Sequence, residues 1–185
     1  MTPDKHQLRS SMRALRKRLA DADPMAATRV ADHVADLPPG ATVALYHAIG
    51  SELDTRPLAQ ALIALGRALC LPVVLDTDAP MIFRRWVPGE PLEIDMAGCP
   101  APLPLAEVVT PDLVILPLLA FDAHGVRLGQ GGGHYDRTLA ALRRSAPVRA
   151  VGLAFAGQQA GHLPVEPHDQ PLDGVLTEKG YRAFA

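Results

Sequence analysis

Four glycines, Gly129, Gly131, Gly132 and Gly133, fall within five positions of the segment Leu116–Leu139, LPLLAFDAHGVRLGQGGGHYDRTL. Glycine reaches backbone angles that other residues resist, and it lets the main chain approach a ligand closely. Successive backbone N–H groups in such a run can cradle phosphate oxygens. An apolar strand pattern leads into the loop and a helical pattern follows it, so the helix would aim its positive end at the same anion. Arg127 and Arg137 flank the glycines and could add charge-assisted hydrogen bonds. Asp136 is placed to hold a magnesium ion, which takes few carboxylates alongside phosphate oxygens. No Lys-Ser or Lys-Thr follows the glycines, so this is not a Walker loop. The spacing of Gly129, Gly131 and Gly133 does not match the dinucleotide fingerprint either. A flexible turn without a ligand is the competing reading, and the strand before, the helix after and the two arginines weigh against it. Spacing therefore suggests phosphate and leaves the nucleotide unnamed.

A second basic feature lies at the N-terminus. Lys5, Arg9, Arg13 and Arg16 form a stripe beside the apolar stripe Leu8, Met12, Leu15 and Leu19 on one predicted helix, residues 3 to 20. Lys17 and Arg18 point elsewhere. Asp122 and His124, in FDAHG, suggest acid–base work, but Asp and Gly are turn formers and a turn is preferred. His162 and His168 stand isolated, so no metal site is expected on them. Cys70 and Cys99 give neither a disulfide framework nor a metal-ligand spacing. Met81, Phe83 and Trp86 could wall a pocket but suit a core equally, and carry no site role.

The elements that must position these residues follow from pattern. Asp23 as cap and Pro24 at the first helical position open a second helix with Ala27, Val30, Val34 and Leu37 inward, closed by Pro38-Pro39-Gly40. Thr42–His47 reads as a strand. Asp54, Thr55 and Pro57 open a helix with Leu58, Leu62 and Leu65 toward the core. Ala68–Leu75 suits a buried strand whose Pro72 weakens a central placement or marks a strand end. Met81–Trp86 alternates as a strand, and residues 88–104, rich in Pro and Gly, read as irregular. Asp112–Leu116 is a short apolar run typical of a strand covered on both faces. Leu139 and Leu142 mark a helix after the glycines. Val148–Ala154 and Gly174–Thr177 read as strands, with a loop between. Strands alternating with helices predict an α/β fold of three layers, a mostly parallel central sheet with helices on both faces.

With 185 residues the chain is expected to form a single domain over residues 1–185. A formal charge of −2 gives no reason to expect nucleic acid. No apolar run approaches the ~20 residues of a membrane-spanning helix, and no apolar signal region follows the charged N-terminus. A cytoplasmic monomer without a membrane partner is the expectation.

The glycine segment RLGQGGGHYDR, preceded by LPLLAFDAHG, is similar to the signature of the 5-formyltetrahydrofolate cyclo-ligase family, usually RLGxGGGYYDR after PxLAFDxxGxR. Lys5-x-x-Leu8-Arg9 resembles that family's N-terminal basic motif. Tyr46–Thr55, YHAIGSELDT, resembles its folate segment, and His168-Asp169 followed by Leu172-Asp173 resembles its C-terminal acidic motif. The matches span nearly the whole chain. His134 stands where the family usually carries Tyr or Phe.

The resemblance implies an ATP-dependent ligase that converts 5-formyltetrahydrofolate to 5,10-methenyltetrahydrofolate, with ADP and phosphate released. It implies an ATP site at Lys5, Arg9, Arg127, Gly129, Gly131, Gly132, Gly133, His134 and Tyr135, with Arg127 and Lys5 acting on the transferred phosphoryl group. It implies folate contacts at His47 and Glu52 and magnesium at Asp136 and Asp169. Arg127→Ala and Lys5→Ala would then weaken ATP use and leave the fold intact. The alternative is a sugar-phosphate or coenzyme A binding protein on a similar fold, which gives Lys5, Arg9 and Glu52 no joint purpose. A nucleic-acid module on the basic helix is disfavoured by net acidity and few aromatics.

Overall fold

The structure is a computed structural model that describes residues 5–184. Helix α1 (Lys5–Ala22) buries Met12, with Leu8 and Leu15, against Leu119, Leu128 and Leu163. Helix α2 (Ala26–Asp32) starts later than the Asp-Pro pair suggests. Asp23 pairs with Arg29 rather than capping, and Met25 holds the cap position with no side-chain hydrogen bond. Ala26, not Ala27, is fully buried, and Val34 falls in a separate 3-10 turn, Val34–Asp36. Strand β1 (Thr42–Ala44) is shorter than expected. Tyr46 leaves the sheet with its carbonyl accepting from Thr55 Oγ1 and its hydroxyl donating to Leu53 O, which puts His47 in a loop.

Helix α3 (Arg56–Ala64) buries Leu58 and Leu62 completely. Leu65 lies beyond its last turn, before Gly66 at φ 77°, and is exposed instead of facing the core. Strands β2 (Ala68–Val73) and β3 (Ile82–Arg85) are antiparallel neighbours. Pro72 lies past Cys70, the last β2 residue paired with β1, so its missing N–H removes no bond from that ladder. The segment read as irregular holds a hairpin of β4 (Leu92–Ile94) and β5 (Pro100–Pro102). Its turn is organised by Asp95, which accepts from the amides of Ala97 and Cys99 and anchors the hairpin to Val74 N. Then come β6 (Val108–Val109), β7 (Leu113–Pro117), β8 (Ala120–Phe121), β9 (Arg127–Leu128), α4 (His134–Ser145), β10 (Arg149–Leu153), β11 (Gly174–Thr177) and β12 (Gly180–Ala183).

One sheet of eight strands runs β12-β11-β10-β7-β1-β2-β3-β6. Strands β11, β10, β7, β1 and β2 are parallel, and the antiparallel strands are confined to the edges. Val43, Leu45, Leu113, Ile115 and Val151 face α2 and α3 on one side. Ala44, Val114, Leu116 and Ala150 face Leu139 of α4 on the other. The expected three layers are therefore present. Sequence order steps from β1 to β2 on one side and from β7 to β10 on the other, so the direction of winding reverses between β1 and β7. Ligands of open parallel sheets bind beyond the carboxyl ends of the strands at such a reversal. No helix among the described residues is long and apolar enough to cross a membrane.

Candidate active site

Beyond the carboxyl end of β7 the chain makes the hairpin β8–β9. Asp122 closes it as a turn residue: its Oδ1 accepts from the amides of His124 and Val126, and Gly125 turns at φ 81°. Strand β9 then delivers Arg127 to the start of the glycine loop. The loop ends at Gly133, which adopts φ 68° as N-cap of α4, and no side chain caps that helix. The first-turn N–H groups of a helix have no intrahelical acceptors, so those of α4 are left for an anion. Arg137 pins the loop from behind, donating to Gly132 O at 2.9 Å and Thr77 O at 2.6 Å and meeting His134 Nδ1 at 3.3 Å.

Helix α1 supplies the facing cations. Arg9 Nε donates to Gly129 O at 3.1 Å, and Arg13 Nε reaches Gln130 Oε1 at 2.9 Å. Lys5 Nζ sits 3.0 Å from Glu166 Oε2 and 3.1 Å from Asp169 Oδ2. Burial alone would lower the Lys5 pKa, but the bonds and charges of those carboxylates outweigh it and raise it. Asp169 is held lower than an ordinary carboxylate: partial burial opposes this, and the Glu166 amide and Lys5 prevail.

Arg127 is the most enclosed of the cations assigned to the site, its side chain only 6% exposed. Its guanidinium meets Asp136 Oδ1 at 2.5 Å, and the same oxygen accepts from Gln170 N at 2.9 Å. Burial pulls the Arg127 pKa down, against the pull of Asp136 and Asp169. This geometry corrects the expectation for Arg127→Ala. Removal of the arginine would strand a largely buried carboxylate, so that variant cannot leave the fold untouched.

Across the cleft, Glu52 lies in the loop after β1. Its Oε2 accepts from Ile49 N at 3.0 Å, and its Oε1 faces Arg16 Nη1 at 3.5 Å. Burial raises its pKa, and the Ile49 amide and Arg16 only partly reverse this. A raised carboxylate pKa means that the ionised form opposes folding above the folded-state value, and that this penalty shrinks as pH falls through that value and is gone below the unfolded-state one. We therefore expect the melting temperature of wild type to rise relative to that of Glu52→Gln as pH is lowered through this window, while the variant loses folate affinity at pH 7. A difference between the two in calorimetry that does not change with pH would contradict the burial account.

Asp136 and Asp169 are the carboxylates expected to hold magnesium. Asp136 Oδ2 and Asp169 Oδ1 make no hydrogen bond among the described residues and both side chains line the cleft. His168 is not isolated, contrary to its spacing: it lies with Glu166 and Asp169 in a group whose ligand atoms fall within 4.8 Å of one another. Phe83 and Trp86 belong to the core, whereas Met81 borders the cleft.

Every residue that the resemblance assigns to ATP, folate or magnesium lines one open cleft of about 910 Å³, including Lys5, Glu52, Tyr135 and Asp169, whereas Arg137, also expected at the phosphates, lies outside that lining and turns to the Thr77 and Gly132 carbonyls. Arg16 is the functional candidate that sequence weighed too lightly. Its spacing placed it on the basic stripe, and its neighbours Leu15 and Leu19 were the sign that it would be drawn inward. Asp95 and Cys99, also on the wall, gave no motif signal.

Residues 1–178 match the 5-formyltetrahydrofolate cyclo-ligase family. The chain is 34% identical to 5-formyltetrahydrofolate cyclo-ligase of Haemophilus influenzae, over 95% of this chain and 98% of that one. It is 38% identical to the Escherichia coli protein of the same name, over 74% and 77%. The fold is similar to that of 5,10-methenyltetrahydrofolate synthetase from Aquifex aeolicus, with a TM-score of 0.79, 30% identity and coverage of 97% and 92%. A synthetase of the same name from Mycoplasma pneumoniae gives a TM-score of 0.72 at 25% identity, over 95% and 99%.

Proposed function

The chain belongs to the 5-formyltetrahydrofolate cyclo-ligase family, and from that membership we propose that it cyclises 5-formyltetrahydrofolate to 5,10-methenyltetrahydrofolate at the expense of ATP. The observation that carries the reading is convergence. An uncapped helix start and glycine loop, the cations of α1 and an inward carboxylate, Glu52, meet in one cleft at the carboxyl ends of the parallel strands.

A formyl amide oxygen is a poor leaving group. It attacks the γ-phosphorus of ATP, and the bond from that phosphorus to ADP breaks. N10 of the folate then attacks the activated formyl carbon and gives up its proton. The C–O bond breaks and phosphate departs with the former formyl oxygen. Such transfer asks the protein mainly for positioning and for neutralisation of charge. The loop and α4 amides hold the phosphates, and Arg127 and Lys5 face the transferred group. Glu52 accepts paired hydrogen bonds from the amino and ring N–H groups of the pterin, with His47 at the same rim. His134 and Tyr135 border the nucleotide. Asp136 and Asp169 would hold magnesium, which neutralises charge on the β- and γ-phosphate oxygens. The reading includes a cytoplasmic, monomeric enzyme with small-molecule substrates. A sugar-phosphate or coenzyme A binder would leave Glu52 without a use.

Lys5→Ala is expected to raise the KM for ATP roughly tenfold, the loss of a hydrogen bond to a charged group. Its partly exposed ion pairs contribute little to folding, so the melting temperature should hold. Equal ATP constants for variant and wild type would remove Lys5 from the phosphate site.

Methenyl product is followed by its absorbance, with and without ATP and with and without formylated folate. Product that requires both substrates supports the proposal. Product without ATP, or none with both present, would overturn it.

A further inference from the structure

Arg16 is a charged side chain only 8% exposed, midway along a helix from which Arg9 and Arg13 reach the glycine loop. It does not reach that loop. Its Nε donates to Ser51 Oγ at 3.1 Å, and its Nη1 donates to Leu118 O at 3.3 Å and faces Glu52 Oε1 at 3.5 Å. Three segments meet on one guanidinium: α1, the loop after β1, and the turn after β7. Leu118 O is also fixed independently by Gln158 Nε2 at 3.0 Å, so the arginine is braced against a rigid acceptor. A buried cation with a planar fork is suited to fixing a neighbouring carboxylate in one orientation.

We propose that Arg16 is a positioning residue that orients the Glu52 carboxylate for the pterin, and so sets folate affinity without contacting the ATP phosphates. The inference rests on the assignment of Glu52 to the folate. Ile49 N fixes one Glu52 oxygen and Arg16 faces the other, so the carboxylate plane is set from both ends. Burial favours protonation of Glu52, and Arg16 opposes it by charge and hydrogen bonding. The other titratable groups near Glu52 are Tyr46, His47 and Asp54 on its own loop, Cys99 from the β4–β5 hairpin and Tyr135 from α4. Of the groups facing Glu52, Arg16 is the cation in direct reach.

The test is a double-mutant cycle of Arg16→Met and Glu52→Gln, with Arg16→Lys as the conservative variant. KM for folate, KM for ATP and the pH profile of kcat/KM for folate are measured on the full chain. Arg16→Met should raise the folate KM about tenfold with the ATP KM within twofold. It should also move the acid limb of the profile to higher pH, because Glu52 then protonates more readily. Arg16→Lys should restore part of that limb through its charge. In the Glu52→Gln background, Arg16→Met should add less than twofold, since the carboxylate it acts on is gone. Should Arg16→Met fail to fold, carboxyl NMR titration of Glu52 in wild type and in Arg16→Gln, which removes the charge but keeps a donor for Ser51 and Leu118, reads the same coupling. Unchanged titration there overturns the proposal, as does a full Arg16 effect that persists in the Glu52→Gln background. If Glu52→Gln alone leaves folate KM unchanged while wild type makes product, the folate assignment of Glu52 fails, and the positioning role falls with it.

Discussion

Replacement of Arg127 by alanine is expected to lower kcat/KM by about a thousandfold and the melting temperature by about 10 °C. The first effect follows from the loss of a preorganised cation beside the transferred phosphoryl group, where one donor is worth about 10²–10³ in rate. The second follows from burial. Asp136 would keep its place beside the Gln170 amide with its main countercharge removed. Breaking a buried pair by removing one partner costs about 3–5 kcal/mol, and each kcal/mol lowers the melting temperature of a domain this size by about 2–4 °C. The two effects separate in the double variant Arg127→Met with Asp136→Asn. Removing both charges should recover most of the stability and none of the activity. Turnover comparable to wild type in that pair, by product absorbance, would show that Arg127 serves folding alone.

Gly132→Val is expected to raise the dissociation constant for ATP more than a hundredfold with little change in melting temperature. A Cβ at Gly132 would stand 3.0 Å from His134 Cδ2, the edge of a side chain that can turn aside, and Gly132 does not sit at positive φ. The fold can therefore accept the valine, while its methyl groups occupy the space that the phosphates need. Gly133 offers the contrast. Its left-handed backbone and the 2.7 Å approach of a Cβ to Arg137 Nη1 make Gly133→Ala a folding lesion at the start of α4. Calorimetric titration with ATP and magnesium, paired with melting curves, distinguishes the two. Native affinity in Gly132→Val would mean that the loop backbone does not approach the ligand.

Much of this site is legible in sequence because its parts are local. The glycine run, Arg127 and Asp136 fall within one short segment, and α1 repeats Lys5 and Arg9 at a helical spacing that survives in the structure. The parallel strands are equally plain, since β7 is a continuous apolar run and β10 is apolar and buried after its exposed Arg149. What stays hidden depends on contacts between distant segments. The environment of Arg16 is made by Ser51, Glu52 and Leu118, none of which is near it in the chain. The β4–β5 hairpin is disguised by its prolines, and its turn is set by Asp95 bonds that no hydrophobic period announces. The group of Glu166, His168 and Asp169 is local by contrast, but polar residues in a loop carry no period that marks them as a cluster.

The central claim is that backbone amides from Gly129 to Asp136 receive the ATP phosphates while folate lies against Glu52. Amide chemical shifts of that segment, measured by NMR during titration with ATP and magnesium, test it most directly. Large saturable shifts at Gly131, Gly132, Gly133 and His134, absent in Gly132→Val, are the predicted result. Saturable binding with those resonances unmoved and the perturbed amides elsewhere in the chain would contradict it.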